Sequence, residues 1–201
     1  MGNSGLIPFV RDNLEILFIG LNPAVGSCRN GHYFSVKQSF WDQLYASGLI
    51  TSRVDKSFAD EIVFGGTINN YQKWSYGITD LVTDIAESNS RKIRPTQQDC
   101  EILCALIRTA TPKVAVLLHG KVREKLLSLL RHPIPQANSG KLGVLIDDSL
   151  TMFYNVAFPH GNNILSEDKI AHYKAIKKYL LELGKSGTSY NAIARKKVKG
   201  P

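Results

Sequence analysis

Two stretches of the chain are almost purely apolar. Residues 14–19 read Leu-Glu-Ile-Leu-Phe-Ile, and residues 114–118 read Val-Ala-Val-Leu-Leu. Short, nearly continuous runs of this kind are expected for strands covered on both faces. Between and after them the apolar period lengthens. Phe40, Trp41, Leu44 and Tyr45 recur at helical spacing over 38–47, and Gly48 follows as a stop. Thr96 and Asp99 form a cap pattern before Ile102, Leu103, Leu106 and Ile107, which predict one apolar face. A further helix is predicted over 121–130. Residues 77–82 form a short apolar segment. Strands are predicted over 144–146 and 152–157, with Asp147-Asp148-Ser149 turning between them. A last helix starts at Ser166 as its cap, with Glu167 and Asp168 in its first turn. Its buried stripe is Ile170, Tyr173, Ile176, Leu180 and Leu183. Residues 51–75 are polar and glycine-containing, and read as a long connection with little regular structure. No repeat is present. Strands alternate with helices, which predicts an α/β fold: a three-layer α/β/α arrangement around a central, mainly parallel sheet.

The 201 residues suit one domain of ordinary size, and 43% hydrophobic residues suffice for a sizeable core. We expect an α/β domain over 1–183 and a flexible basic tail over 184–201 that holds Arg195-Lys196-Lys197 and Lys199. The net charge of +8 favours a polyanionic partner, although solubility alone also accounts for such a balance. Without the tail the excess is milder. No apolar run approaches the ~20 residues of a membrane span, and the N-terminus lacks a basic start followed by a long apolar core. The three cysteines are odd in number and at no zinc-finger spacing. Cys100 and Cys104 lie one helical turn apart, which fits two core positions better than a metal pair. A reduced, cytoplasmic setting is expected, with no metal and no cofactor.

Ligands of open α/β sheets bind beyond the carboxyl ends of the strands. Three predicted strand exits carry polar or special residues there: Gly20-Leu21-Asn22-Pro23, His119-Gly120, and Phe158-Pro159-His160-Gly161-Asn162-Asn163. Parallel strands would gather all three at one edge. Each also has a plain structural reading. Asn-Pro is a common turn dipeptide. Tyr33 and Phe34 suit a core, His119 suits a hydrogen-bonded structural histidine, and Asn162-Asn163 suits a turn before the Ser166 cap.

The segment "GLNPAVGS…GHYF…FWDQLYASGL" resembles the first motif region of the mismatch-specific uracil/thymine DNA glycosylases, the Mug/TDG branch of the uracil-DNA glycosylase superfamily. That branch typically reads G-I-N-P-G, then a phenylalanine, then F-W and a helix. "YGITDLV" at 76–82 and "VAVLLHGKV" at 114–122 resemble its next two segments, and "FPHGNN" at 158–163 stands where the family has N-P-S-G-L-S. The resemblance runs in matching order over about 14–183. It implies a parallel sheet flanked by helices, and hydrolysis of the N-glycosidic bond of a damaged or mismatched base that has left the duplex stack. Asn22 matches the asparagine that positions the attacking water, and Phe34 the aromatic that stacks on the flipped base. Gly20, Leu21, Pro23 and Asp80 are then the further base-pocket candidates. His160 stands at the motif's serine position and adds a second candidate catalytic group. Gly161, Asn162 and Asn163, with Lys37 and Arg94, are the candidate DNA contacts.

The chain departs from the family pattern at two places. Ala24 replaces the glycine after Asn-Pro, and Asn162 replaces the inserting leucine. An iron–sulfur cluster needs four cysteine ligands, and the chain has three. The resemblance therefore implies a monofunctional DNA glycosylase for uracil, with thymine as the other base of that branch. It would be a monomer acting on duplex DNA with a flipped base or on single strands, without a membrane partner. Two alternatives stay open: a glycosylase for deaminated purines such as hypoxanthine or xanthine, and a non-catalytic nucleic-acid-binding protein on the same fold.

Overall fold

The computed structural model describes residues 5–137 and 139–185. Its centre is a five-stranded sheet of order β2-β1-β3-β5-β4. The strands are β1 (Ile16–Gly20), β2 (Tyr76–Asp80), β3 (Val114–Leu117), β4 (Gly140–Val144) and β5 (Met152–Asn155). β1 pairs in parallel with β2 on one edge and β3 on the other, and β3 pairs in parallel with β5. Only β4, at the edge, is antiparallel. Every residue of β1, β2 and β3 is buried, which is why their sequences do not alternate.

The pleat divides the core in two. Ile16, Phe18, Tyr76, Ile78, Val114 and Val116 face one layer, packed against α2 (Ser39–Ser47) and α5 (Ser166–Lys185) through Phe40, Trp41, Leu44, Tyr173 and Ile176. Leu17, Ile19, Ala115, Leu117 and Phe153 face the other layer, against α3 (Gln97–Ala110) and α4 (Gly120–Leu129). The architecture is three-layer α/β/α, as the alternation of elements predicts. Among the described residues no helix is long and apolar enough to cross a membrane.

Several sequence expectations need correction. A six-residue helix, α1 (Val25–Asn30), follows the Asn-Pro turn. It has no acidic first turn and no side-chain cap, so nothing local announced it. Residues 51–75 are more ordered than their polarity suggests. They contain a π turn (Glu61–Gly65) with buried Val63 and Phe64, and a 3₁₀ turn (Tyr71–Lys73). The buried Asn70 amide holds both ends by donating to the Val63 and Trp74 carbonyls at 2.9 and 2.8 Å. β4 lies at Gly140–Val144, upstream of the predicted 144–146. Leu145 and Ile146 are buried but fill the core beyond the ladder, while the strand itself is half exposed and carries two glycines. β5 ends at Asn155 and β2 begins at Tyr76.

On α3 the buried face is Cys100, Leu103, Cys104 and Ile107, and Ile102 points to solvent. The two cysteines occupy positions on the apolar stripe. The Thr96–Asp99 capping box forms as expected. Ser166 is the first residue of α5, and the helix runs through Lys185 into the start of the expected tail; residues 186–201 lie outside the described residues.

Phe18 is the hub of the larger core. Its ring centroid lies 5.5 Å from Phe40, 5.8 Å from Phe64, and 6.3 Å from both Tyr76 and Tyr173. Phe18→Ala should cost about 3–5 kcal/mol in urea unfolding, the range for aromatic truncation in a packed core. A change too small to resolve would mean that the two faces of the sheet collapse around the cavity.

Candidate active site

Parallel pairing puts the exits of β1, β2, β3 and β5 at one edge of the sheet. A cavity of about 550 Å³ opens there. Its lining includes Gly20, Leu21, Asn22, Pro23, Phe34, Lys37, Asp80, His160, Gly161 and Asn162, so ten of the candidates read from sequence meet in one place. His119 and Phe158 complete the three exits. Asn163 belongs to the same loop but does not line the cavity. Arg94 lies apart, beside a second hollow shared with Lys121 and Lys125.

The β1 and β2 exits are laced together. Leu81 and Val82 donate backbone N–H groups to Gly20 and Leu21, and Glu87 donates to Pro23, all at 2.9–3.0 Å. The Asn22 side chain completes this seam. Its Nδ2 donates to the carbonyls of Glu87 (2.8 Å), Pro23 (3.0 Å) and Ile85 (3.1 Å). Three surrounding acceptors fix which end of the amide is nitrogen. The seam thus uses the donor end and leaves Oδ1 as the acceptor end. Ala24, in place of the family glycine, sits at φ −75° and ψ 144°, an extended conformation open to any residue.

Phe34 is held in an unusual backbone state, φ 51°. A bulky residue in this region stores strain and persists only when its surroundings over-determine it. Those surroundings are explicit. The ring stacks on Phe40 at 4.1 Å, and Trp41 Nε1 donates to the Phe34 carbonyl at 3.3 Å. One residue earlier, the Tyr33 N–H donates to Asp60 Oδ2 at 2.8 Å. Asp60, almost fully buried, also receives His32 Nδ1 at 3.0 Å and the Glu61 N–H at 3.0 Å. Ser35 Oγ closes the turn on the His32 carbonyl at 2.8 Å. Tyr33 is core, as its plain reading holds, whereas Phe34 is half-buried and borders the cavity.

The 158–163 loop is anchored at its stem. Buried Gln43 and Lys169 both donate to the Pro159 carbonyl, at 3.0 and 3.3 Å. Burial lowers the Lys169 pKa. At the tip, Asn162 Nδ2 donates to the Phe158 carbonyl at 2.8 Å while its Oδ1 accepts from the Ile164 N–H at 3.2 Å. Its amide therefore shapes the turn. His160 stands edge-on to Phe158 at 4.9 Å, and Phe158 lies 6.0 Å from Phe34. Burial, then Lys37 and Lys169, lower the His160 pKa. His119 caps α4 by accepting the Lys121 N–H through Nδ1 at 3.1 Å, and burial lowers its pKa too. Both imidazoles are neutral near pH 7. His119 thus serves the structure and borders the cavity at once.

Asp80 pairs with Gly20 across the parallel ladder, and both sit on the Phe18 side of the sheet. A Cβ on Gly20 would lie 2.1 Å from Asp80 Oδ1, so the glycine makes room for the carboxyl. Asp80 is 7% exposed and its Oδ2 has no hydrogen-bond partner. Desolvation pushes its pKa up to about 7.

Asp60, Gln43 and Lys169 were not singled out from sequence. Asp60 acts across 27 residues of chain and left no local trace. Lys169 did leave one: it shares the stripe of Tyr173, Ile176 and Leu180, where a lysine interrupts an apolar face. Among the described residues no group of three or more His, Cys, Asp or Glu could hold a metal ion.

Two consequences can be measured. Asp60→Ala leaves the Tyr33 N–H buried and unpaired, which should cost about 1–3 kcal/mol. It should also speed amide exchange selectively over residues 32–35. Asp80 binds its proton more tightly folded than unfolded, so it contributes stability at low pH that is lost as pH rises toward its folded pKa of about 7. Asp80→Asn should therefore raise the melting temperature at pH 8 and change it little at pH 4. An equal shift at both pH values would contradict the burial account.

Residues 7–183 match the family model of the uracil DNA glycosylase superfamily. No curated protein matches the chain. The match spans every strand and helix described above but the last two residues of α5. It includes the Asn-Pro turn at the exit of β1 and Phe34 at the cavity. The chain belongs to the uracil DNA glycosylase superfamily, whose members are DNA glycosylases acting on DNA.

Proposed function

We infer that this chain is a monofunctional DNA glycosylase that hydrolyses the N-glycosidic bond of uracil in mismatched or damaged DNA. The observation that carries the reading is the fixed amide of Asn22 lining the same cavity as Phe34. An amide is a poor base. Its oxygen can nevertheless accept from a water and hold it in line with C1′ of a flipped nucleotide, and orientation of this kind is a large part of catalysis. As the glycosidic bond breaks the sugar becomes cation-like, and the same amide dipole stabilises it. Phe34, stacked on Phe40, offers a pre-set face for the extruded base. Stacking of this type contributes about 1–3 kcal/mol and tolerates different bases. The strained Phe34 backbone supports this role, because strain of this kind concentrates where a group must be pre-positioned.

The thymine activity of the mismatch-specific branch belongs to the same reading, and so does the proposed division of the chain into a catalytic domain over 1–183 and a basic tail. Since the Asn162 amide is engaged in its own turn, the loop tip offers no apolar wedge at that residue. Mismatched or unpaired substrates, which flip cheaply, should be preferred over paired U·A. The cations Lys37, Arg91, Lys92 and Arg94 supply candidate phosphate contacts along the edge that runs from the cavity to the second hollow.

A panel of oligonucleotides carrying U, T, hypoxanthine or xanthine opposite each base tests the reading. Abasic product from G·U should dominate. Product from purines alone would shift the assignment to deaminated purines, and binding without any product would leave a non-catalytic binder. Asn22→Ala should lower single-turnover excision by about 10²–10⁴-fold, the range for a positioned catalytic group. Near wild-type excision would remove Asn22 from the mechanism. Affinity for duplex DNA should fall with salt, and Arg94→Gln should reduce the slope of log K against log salt by roughly 0.9 if it neutralises one phosphate. An unchanged slope would place Arg94 off the DNA.

A further inference from the structure

We propose that Gln43 and Lys169 are positioning residues that clamp the 159–165 loop by its neck, so that His160 and Gly161 stand at the cavity before any nucleic acid arrives. The inference rests on the glycosylase reading and names the groups that hold one wall of its site ready.

The two side chains come from different helices and converge on one atom. Gln43 on α2 donates to the Pro159 carbonyl at 3.0 Å, and Lys169 on α5 donates to the same oxygen at 3.3 Å. Gln43 Nε2 also donates to the Oγ of Ser166, the first residue of α5, at 3.2 Å. One amide therefore touches both ends of the loop. Gln43 is 2% exposed and Lys169 is 3% exposed. Between these ends His160, Gly161, Asn162, Asn163 and Leu165 are exposed.

Neither residue suits its place as packing. Gln43 stands with Phe40, Trp41 and Leu44 among the buried positions of α2, and Lys169 stands one turn before Tyr173 on the buried stripe of α5. An apolar residue at either position would complete the face. Burying an amide or an ammonium costs stability that one carbonyl bond only partly offsets. The cost is visible on both side chains. Gln43 Oε1 has no hydrogen-bond partner, and burial lowers the Lys169 pKa. Among the described residues the Pro159 carbonyl is the only hydrogen-bond acceptor of the Lys169 ammonium.

Backbone geometry says what the clamp controls. The proline ring fixes φ at about −65°. Holding the carbonyl oxygen then fixes ψ, and the planar trans peptide carries that orientation to His160. The course of the chain into the cavity wall is thus set at one residue. Downstream, the tip is shaped by its own Asn162 amide, which bonds the Phe158 carbonyl and the Ile164 N–H. The loop is a preformed turn whose placement depends on its neck. His160 and Gly161 line the cavity. A shift at Pro159 would also reach the aromatic wall through Phe158, whose ring lies 4.9 Å from His160 and 6.0 Å from Phe34. Groups placed in advance leave no ordering to be done at the moment of reaction, and that raises the rate at the reacting centre.

Two substitutions separate positioning from plain structural support. Lys169→Met keeps an unbranched side chain and leaves Gln43 alone on the oxygen. Gln43→Glu puts a carboxylate beside the Lys169 ammonium. The acid draws Lys169 off the carbonyl and repels that oxygen itself. Each variant removes a buried charge or gives it a counter-charge, so the melting temperature should hold or rise. Amide exchange over residues 160–165 should quicken selectively. Single-turnover excision of uracil from a G·U duplex at saturating enzyme should fall by about 10–10²-fold, the scale for misplacement caused from outside the reacting groups. Affinity for undamaged duplex, which surface cations set, should stay within about twofold. A lowered melting temperature in Gln43→Glu would mark plain structural support. That result, or wild-type excision in both variants, overturns the proposal and leaves the glycosylase reading intact. A wild type that excises no base overturns both. If Lys169→Met does not fold, Gln43→Glu decides.

Discussion

Strand β1 hydrogen-bonds to β2 on one edge and to β3 on the other, and all five of its residues are buried. A parallel strand in that position cannot shift by one residue without turning its side chains to the wrong core. This register is the constraint on which the site depends. With Phe18 locked among four rings, Gly20 must stand over it, Asp80 must stand beside Gly20, and the Asn-Pro turn must leave the sheet where β3 and β5 also leave it. The cavity is thus the place where the buried parallel strands run out of ladder, with Asp80 in the last β1–β2 pair and Asn22 two residues beyond it.

Around that edge the structure keeps its working groups in place with buried donors and acceptors, Asp60, Gln43 and Lys169, and with the half-buried amide of Asn22. Asp60 collects the loop before Phe34, the Pro159 carbonyl collects Gln43 and Lys169, and Asn22 collects the loop after β2. For Asp60, Gln43 and Lys169 a polar group removed from water is paired with chain from a different element, so loosening one would leave a buried partner unpaired. This accounts for how a left-handed Phe34 can persist. Its strain is opposed by the cost of unstacking the ring from Phe40 and unpairing Asp60.

The electrostatics divide between edge and interior. Lysines and arginines lie at the rim and around the second hollow, where they suit a polyanion. Inside, burial drives groups toward neutrality: it lowers the His119 pKa and pushes Asp80 up to about 7. A site for DNA, an anionic polymer, is served by this division, since the cations stand where the polymer would lie and the interior stays neutral.

Much was legible before any tertiary structure. The runs at 14–19 and 114–118 announced doubly covered strands because burial on both faces removes the need for polar alternation. The Thr96–Asp99 box announced its helix because capping is local. The Asn-Pro, His-Gly and Pro-His-Gly turns announced a shared edge once the strands were taken as parallel. What depended on distant chain was not legible. Helix α1 has no cap, β4 is a half-exposed glycine-bearing strand, and Ile102 shares its turn with the residues that took its place in the core. Asp60 works through contacts 27 and 28 residues away. Asp80 could be placed near a base by resemblance, but its unpaired oxygen and its retained proton arise only when Gly20 and the aromatic layer close around it. The sequence by itself determined the layers, the strand type and the edge where chemistry gathers, because periodicity and turn residues act over a few neighbours. Tertiary structure alone decided the charge state and orientation of the groups at that edge, because desolvation and hydrogen-bond satisfaction are properties of the packed whole.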